Sequence, residues 1–241
     1  MKPALSSIAL LLAALTLPVQ AVTVALSPDK DNTIYQESPT FSNGGGNFIF
    51  AGTRNGGAPR RSLLSFDVAS AVPAGATINS AVLRLTLSNP RSTGASDINL
   101  HRLTADWGEG TTLAPRGEGA GAASSAGDAT WASSFQGTSS WTTAGGDFLG
   151  GASATTSVNA NGPYEWSGLA SDAQTWLDNS AQNFGWILVG DESTSPNAKR
   201  FHSSENTSGQ PLLTIDYTPI PEPSSALLGI LGLGLLARRR R

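Results

Sequence analysis

Alternation with a period of two constrains this chain more than any other feature. Between Ile78 and Leu87, Leu83, Leu85 and Leu87 fall on one face of an extended strand, and Val82, Arg84 and Thr86 on the other. In Ser62–Val68 the same pattern puts Leu64, Phe66 and Val68 together, with Ser65 and Asp67 opposite. Ile98–Leu103, Phe184–Val189 and Leu212–Tyr217 are further predicted strands. Pro73-Ala74-Gly75-Ala76, Asn43-Gly44-Gly45-Gly46 and Asn55-Gly56-Gly57 read as turns, the glycines supplying positive φ freely. One helix stands out: Leu169, Ala173, Trp176 and Leu177 recur at helical spacing, with Ser167 as a possible cap. Many short strands, one short helix and frequent turns predict an all-β fold, a jelly-roll-like β-sandwich.

The segment Gly108–Gly162 departs from this pattern. It is rich in Gly, Ala, Ser and Thr, yet keeps Trp131, Phe135, Trp141 and Phe148. A disordered linker seldom retains so many aromatics, so we read a long loop region with short strands, pinned to the sandwich by those rings.

Both ends carry signals. Lys2, the apolar run Ala4–Leu17, and small residues at Val19 and Ala21 form a secretory signal peptide, residues 1–21, cut after Ala21. The other end reads Ile220-Pro221-Glu222-Pro223, an uncharged apolar run Ala226–Ala237, and Arg238–Arg241. A helix over this run and the two preceding serines, about 14 residues, rises only ~21 Å, against a hydrocarbon core of ~30 Å. Pro221 and Pro223 block its extension, and the positive-inside rule keeps the arginines cytoplasmic. Such a helix suits a temporary membrane tether; an ordinary short anchor is the alternative.

In its ordered parts, with the motif Pro221, Glu222 and Pro223, this tail (residues 219–241) resembles the PEP-CTERM sorting signal. The resemblance implies an exosortase-type processing enzyme as partner. It further implies a membrane-tethered intermediate at the inner membrane, then the cell surface or extracellular matrix of a Gram-negative bacterium that makes exopolysaccharide.

Between the signals lies one exported domain, residues 22–218. The chain has no Cys, which excludes disulfides, zinc–thiolate sites and cysteine nucleophiles. Its 15 Lys+Arg include Lys2 and Arg238–Arg241, and its 18 Asp+Glu include Glu222. The domain therefore keeps ten cations against 17 acids, near −7. That balance disfavours nucleic acid and simple electrostatic capture of a polyanion.

Within the domain, "RSLLSFDV", "PAGATINSAVLRLTL", "INLHRLTADWGEGT", "TWASSFQGTSSWTTAGGDF", "AQTWLDNSAQNFGWILVG", "KRFHSSE" and "PLLTIDY" follow one another. This ordered set resembles the DNRLRE domain and spans most of Asp31–Tyr217. The resemblance implies a β-sandwich module on a secreted protein, carbohydrate-binding in part of the family, with alginate-type ligands among them. Here the module stands without an attached enzyme domain.

No catalytic constellation emerges. His101 and His202, the only histidines, each fall in a predicted strand, and no His-Glu-x-x-His, Gly-x-Ser-x-Gly or phosphate loop occurs. Asp106, Glu109 and Asp147 are candidate calcium ligands; the alternative is a structural turn in which Asp106 and Glu109 accept backbone N–H groups. No other cofactor is implied. For a sugar, Trp131 and Trp141 are candidate stacking platforms and Arg61, Arg84 and Arg200 candidate polar contacts. The alternative is that both tryptophans are loop anchors; Trp176 and Trp186 look like core. The sequence thus predicts a non-catalytic module whose partner is an extracellular polysaccharide. The alternative is a structural or adhesive biofilm protein with no glycan ligand.

Overall fold

The structure, a computed structural model, describes residues 20–91 and 94–220. Residues 1–19 of the predicted signal peptide and 221–241 of the sorting tail lie outside the described residues. No helix among the described residues is long and apolar enough to cross a membrane.

In chain order the strands are β1 (Val22–Leu26), β2 (Lys30–Tyr35), β3 (Phe41–Ser42), β4 (Phe48–Thr53), β5 (Pro59–Ser65), β6 (Thr77–Asn89) and β7 (Ser96–Arg102). Then come β8 (Ala122–Ala123), β9 (Ser133–Phe135), β10 (Ser139–Ser140), β11 (Ala154–Val158), β12 (Gly162–Trp166), β13 (Trp186–Val189), β14 (Lys199–His202) and β15 (Leu212–Thr218). Two short helices, α1 (Val68–Ala71) and α2 (Ala170–Asp178), complete the α and β elements.

Eleven strands join one antiparallel sheet in the order β1-β15-β6-β14-β4-β5-β13-β7-β11, with β12 added on β6 and β2 on β5. The all-β character expected from the sequence holds. The strands do not separate into two hydrogen-bonded sheets, because β4 carries the pairing from one half to the other. Its residues Phe48–Ala51 pair with β14, whereas Gly52 and Thr53 pair with β5. Gly52 makes this switch at φ +103°, and a Cβ there would stand 2.7 Å from Asn197 Oδ1. Asn197 Oδ1 accepts from the N–H and hydroxyl of Thr53, holding the corner. The sheet is therefore one curled surface.

The concave side holds the larger core. Trp186 packs on Trp176 of α2 with ring centroids 4.3 Å apart, and Trp166 meets Phe201 edge-on at 6.0 Å. Trp176 and Trp186 are the core residues they look like in the sequence. On β6, Leu83, Leu85 and Leu87 are buried while Arg84 is exposed, following the alternation. Each fully buried Leu contributes roughly 1.5–3 kcal/mol by leaving water.

A second core covers the outer face. Ile34 of β2, Leu63 of β5 and Ile187 of β13 lie under Leu103, Trp107, Trp131 and Trp141. This is why β5 is buried on both faces, Leu64 inward and Leu63 outward, instead of alternating with a polar face. The Gly/Ser/Thr/Ala-rich region thus forms short strands and turns fastened by its aromatic rings.

Local differences from the sequence reading have physical causes. Val68 leaves the strand because Asp67 accepts the Ser70 N–H at 3.1 Å and starts α1. Ser167 does not cap α2; its N-cap is Leu169, which offers no side-chain bond. The Gly44–Gly46 run is needed for room, none of the three having positive φ. A Cβ on Gly44 would fall 2.0 Å from the Glu109 carbonyl oxygen.

Candidate functional site

Half of the domain's cations converge on one cleft. Arg54, Arg60, Arg91, Arg116 and Arg200 line a cavity of about 380 Å³, together with Phe50, Asn89, Gly117, Gly119 and Ala120. The fold brings them from distant places. Arg54 begins the turn after β4, where Gly57 N–H reaches the Arg54 carbonyl at 3.0 Å. Arg60 stands on β5, Arg200 on β14, Arg91 just beyond β6, and Arg116 on a loop.

The inner arginines are fixed by partners. Arg54 and Arg60 each donate to Glu37 Oε1 at 2.9 Å. Burial raises the Glu37 carboxyl, but hydrogen bonds from Arg54, from a backbone N–H and from Arg60 together outweigh it and hold the group below the usual range. The Arg60 guanidinium lies 6.0 Å from the Phe50 ring centroid, and that of Arg200 only 4.0 Å from Phe48. Arg200 Nε also donates to Ser88 Oγ at 3.0 Å. A Cβ on Gly119 would stand 3.5 Å from Arg60 Nη1, and one on Gly117 3.9 Å from Arg200 Nη1, so both forks lie against this loop.

The rim is held from below. Glu118 is buried, and its carboxylate accepts from the Phe48 N–H at 2.9 Å and the Asn43 amide at 3.1 Å. Tyr35 Oη donates to the Glu118 carbonyl. The buried Lys199 donates to the carbonyls of Pro90 and Gly94, tying down the turn that carries Arg91. Burial lowers the Lys199 pKa. Arg91 and Arg116 are exposed, and among the described residues neither guanidinium has an acceptor.

Among the described residues, the three non-glycine residues with positive φ are Arg91 (54°), Arg116 (53°) and Glu118 (71°). All three belong to this rim. Left-handed backbone at such residues costs about 1 kcal/mol or more each and concentrates at functional sites. Five guanidiniums face two carboxylates, Glu37 and Glu118, so the cleft is locally cationic on an anionic domain. Guanidinium forks match carboxylate or sulfate oxygens in pairs.

Of the residues singled out in the sequence, only Arg200 reaches this cleft. Trp131 and Trp141 are 7% and 5% exposed, so neither offers a face for a sugar. They cover the outer sheet face, and Trp141 Nε1 donates to the Thr130 carbonyl at 2.8 Å. Arg61 is committed elsewhere: its Nε and Nη2 reach Glu192 at 2.7 and 2.8 Å, and Nη1 the Gly145 carbonyl at 2.9 Å. Arg84 is exposed on β6 opposite Glu165 of β12.

The predicted calcium set Asp106, Glu109 and Asp147 is not assembled. Asp106 pairs with Lys30 at 3.0 Å and accepts the Trp107 N–H. Both Asp147 oxygens hold the N–H groups of Thr142 and Thr143 at 2.8 Å. Glu109 accepts the Asp31 N–H at 2.8 Å. Asp106 and Asp147 thus serve their own turns, while Glu109 ties its loop to the start of β2; accepting backbone N–H groups is the alternative reading for Asp106 and Glu109. His101 and His202 each bond a backbone carbonyl through Nδ1, of Leu149 and Ser208.

The cleft was missed in the sequence because its arginines lie in separate segments. The signal that could have found them is an exposed Arg flanked by Pro and Gly, as in "NPRSTG" and "APRGEG", within an arginine-poor domain.

Residues 219–241 match the PEP-CTERM protein-sorting motif. No curated protein matches the chain. The sorting tail marks the protein for export through an exosortase, membrane-anchored before cleavage and ending on the cell surface of a Gram-negative bacterium.

Proposed function

We propose that the exported domain is a non-catalytic polysaccharide-binding module, and that its ligand is an acidic glycan held in the arginine cleft. One observation carries this: Arg91 and Arg116 present guanidiniums with no acceptor among the described residues, at a rim with left-handed backbone, above three arginines already oriented by Glu37, Phe48 and Ser88. Uronate carboxylates, or sulfate esters, are the sugar groups that such forks grip in pairs. Stacking is secondary, since Phe50 is largely buried at the floor. Secretion to a polysaccharide-rich surface supports the reading, as does the resemblance of the ordered blocks to DNRLRE modules. On this reading the curled sheet is a jelly-roll-like sandwich, the mature protein lacks residues 1–21 and the segment after Pro223, and many copies on one cell surface supply avidity.

Affinity electrophoresis tests it. The folded protein is run through gels containing alginate, pectin or a neutral glucan. Retardation by the polyuronates, absent with the glucan and lost in Arg91→Ala/Arg116→Ala, is the expected result. A folded protein retarded by none of them leaves a ligand-free matrix component.

A further inference from the structure

We propose that Asp31, Glu109 and Glu205 bind a divalent cation of calcium type, at a place separate from the arginine cleft. Asp31 stands at the start of β2 and is fully buried. Its Oδ2 accepts the Ser204 N–H at 2.7 Å. Its Oδ1 is buried and has no hydrogen-bond partner among the described residues. An ionised oxygen left in that state is costly unless a cation or a proton meets it.

The surroundings supply further oxygen ligands and no free positive charge. Glu109 Oε1 is held by the Asp31 N–H, and Glu205 Oε1 by the Ser204 hydroxyl at 2.9 Å. Each of the three carboxylates therefore has one oxygen held by a donor, and among the described residues the other oxygen accepts no hydrogen bond. Asp29 adds a fourth negative charge that acts on Glu109. The neighbouring cation, Lys30, is engaged with Asp106 and with the Trp107 carbonyl. Burial, then the charge of Glu205, pushes the Asp31 carboxyl up to about 7, which measures how poorly the bare anion is tolerated.

No three such groups among the described residues already stand at coordinating distance. Glu205 is exposed and Glu109 half-buried, so the site would form by their side chains turning toward the buried Asp31 oxygen. Calcium accepts this better than magnesium does. It takes six to eight oxygens in flexible geometry, with water filling open positions, whereas magnesium demands a near-ideal octahedron. The three carboxylates come from the start of β2, the 106–112 loop and the turn after β14, so one ion would fasten three remote segments. The same closure braces Gly44 and Gly45, which pack on the 109–111 backbone.

The test is the thermal melt of the full chain in detergent at pH 7.5, in chelator and in millimolar calcium. Calcium should raise the midpoint by about 5 °C. Asp31→Asn should abolish the rise, and Glu205→Gln, at an exposed position, should reduce it. If Asp31→Asn does not fold, Glu205→Gln carries the test alone. No calcium response in the wild type overturns the proposal. So does an undiminished rise in Glu205→Gln together with Asp31→Asn, where that variant folds. Stabilisation of the wild type by acidification alone, with calcium inert, would assign the buried oxygen to a proton instead.

Discussion

The Arg61 guanidinium carbon lies 4.7 Å from the centroid of the Trp131 ring, while its nitrogens grip both oxygens of Glu192. Gly145 closes the arrangement: a Cβ there would stand 2.7 Å from Trp131 and 2.8 Å from Arg61 Nη1. Arg61 thus clamps two loops onto β5. Arg61→Ala should destabilise the domain by about 2 kcal/mol, since it strands a half-buried carboxylate and uncovers an aromatic face. Arg61→Lys should recover little of this, a lysine having no fork. Chemical denaturation of the three proteins checks both statements, and polyuronate affinity should not change.

Trp131→Ala should act on stability and not on binding. Removing a buried Trp costs about 3–5 kcal/mol. The loss should appear in the denaturation midpoint, with affinity per folded molecule unchanged. Reduced affinity in a fully folded Trp131→Ala protein would put the ring back at the ligand.

Glu37 sets a balance between stability and binding. Its folded-state pKa is depressed, so its contribution is present above the unfolded value near 4.5 and is lost as pH falls through the lower folded value. Stability should therefore drop on acidification below about pH 4.5, and Glu37→Gln should flatten that limb. The same change releases Arg54 and Arg60 from their carboxylate. Glu37→Gln should accordingly bind polyuronate several-fold more tightly while melting earlier at neutral pH. Paired melts and binding curves would show the two effects moving in opposite directions.

Much of the fold was legible because one-dimensional pattern reports burial directly. Leu83, Leu85 and Leu87 turn inward on β6, and Ala173, Trp176 and Leu177 are buried on α2. Pro73–Ala76 forms its turn, with Ala76 N–H on the Pro73 carbonyl and Gly75 at φ +79°. The pattern was silent where burial comes from elsewhere in the chain. Leu63 and Ile187 face outward by alternation but are covered by Trp131 and Trp141, which a polar, glycine-rich segment delivers. The same covering removed both tryptophans as platforms. The cleft was invisible for a different reason. Net charge averages over the domain, whereas recognition depends on where the charges stand, and five arginines from five segments meet only once β4, β5, β6 and β14 are paired.

The salt dependence of polyuronate binding, measured for the wild type and for Arg91→Ala/Arg116→Ala, bears most directly on the arginine cleft. Both side chains are exposed and without acceptors among the described residues, so the double variant should keep its fold and melting temperature. Wild-type affinity should fall at least about tenfold between roughly 0.05 and 0.5 M salt, as screening shortens to a few ångströms. The double variant should bind at least about tenfold more weakly at low salt, each lost charge-assisted contact being worth about 1.5–3 kcal/mol at most, and should respond less to added salt. Equal affinity and equal salt slopes in the two proteins, both folded, would contradict the assignment of the cleft as the glycan site.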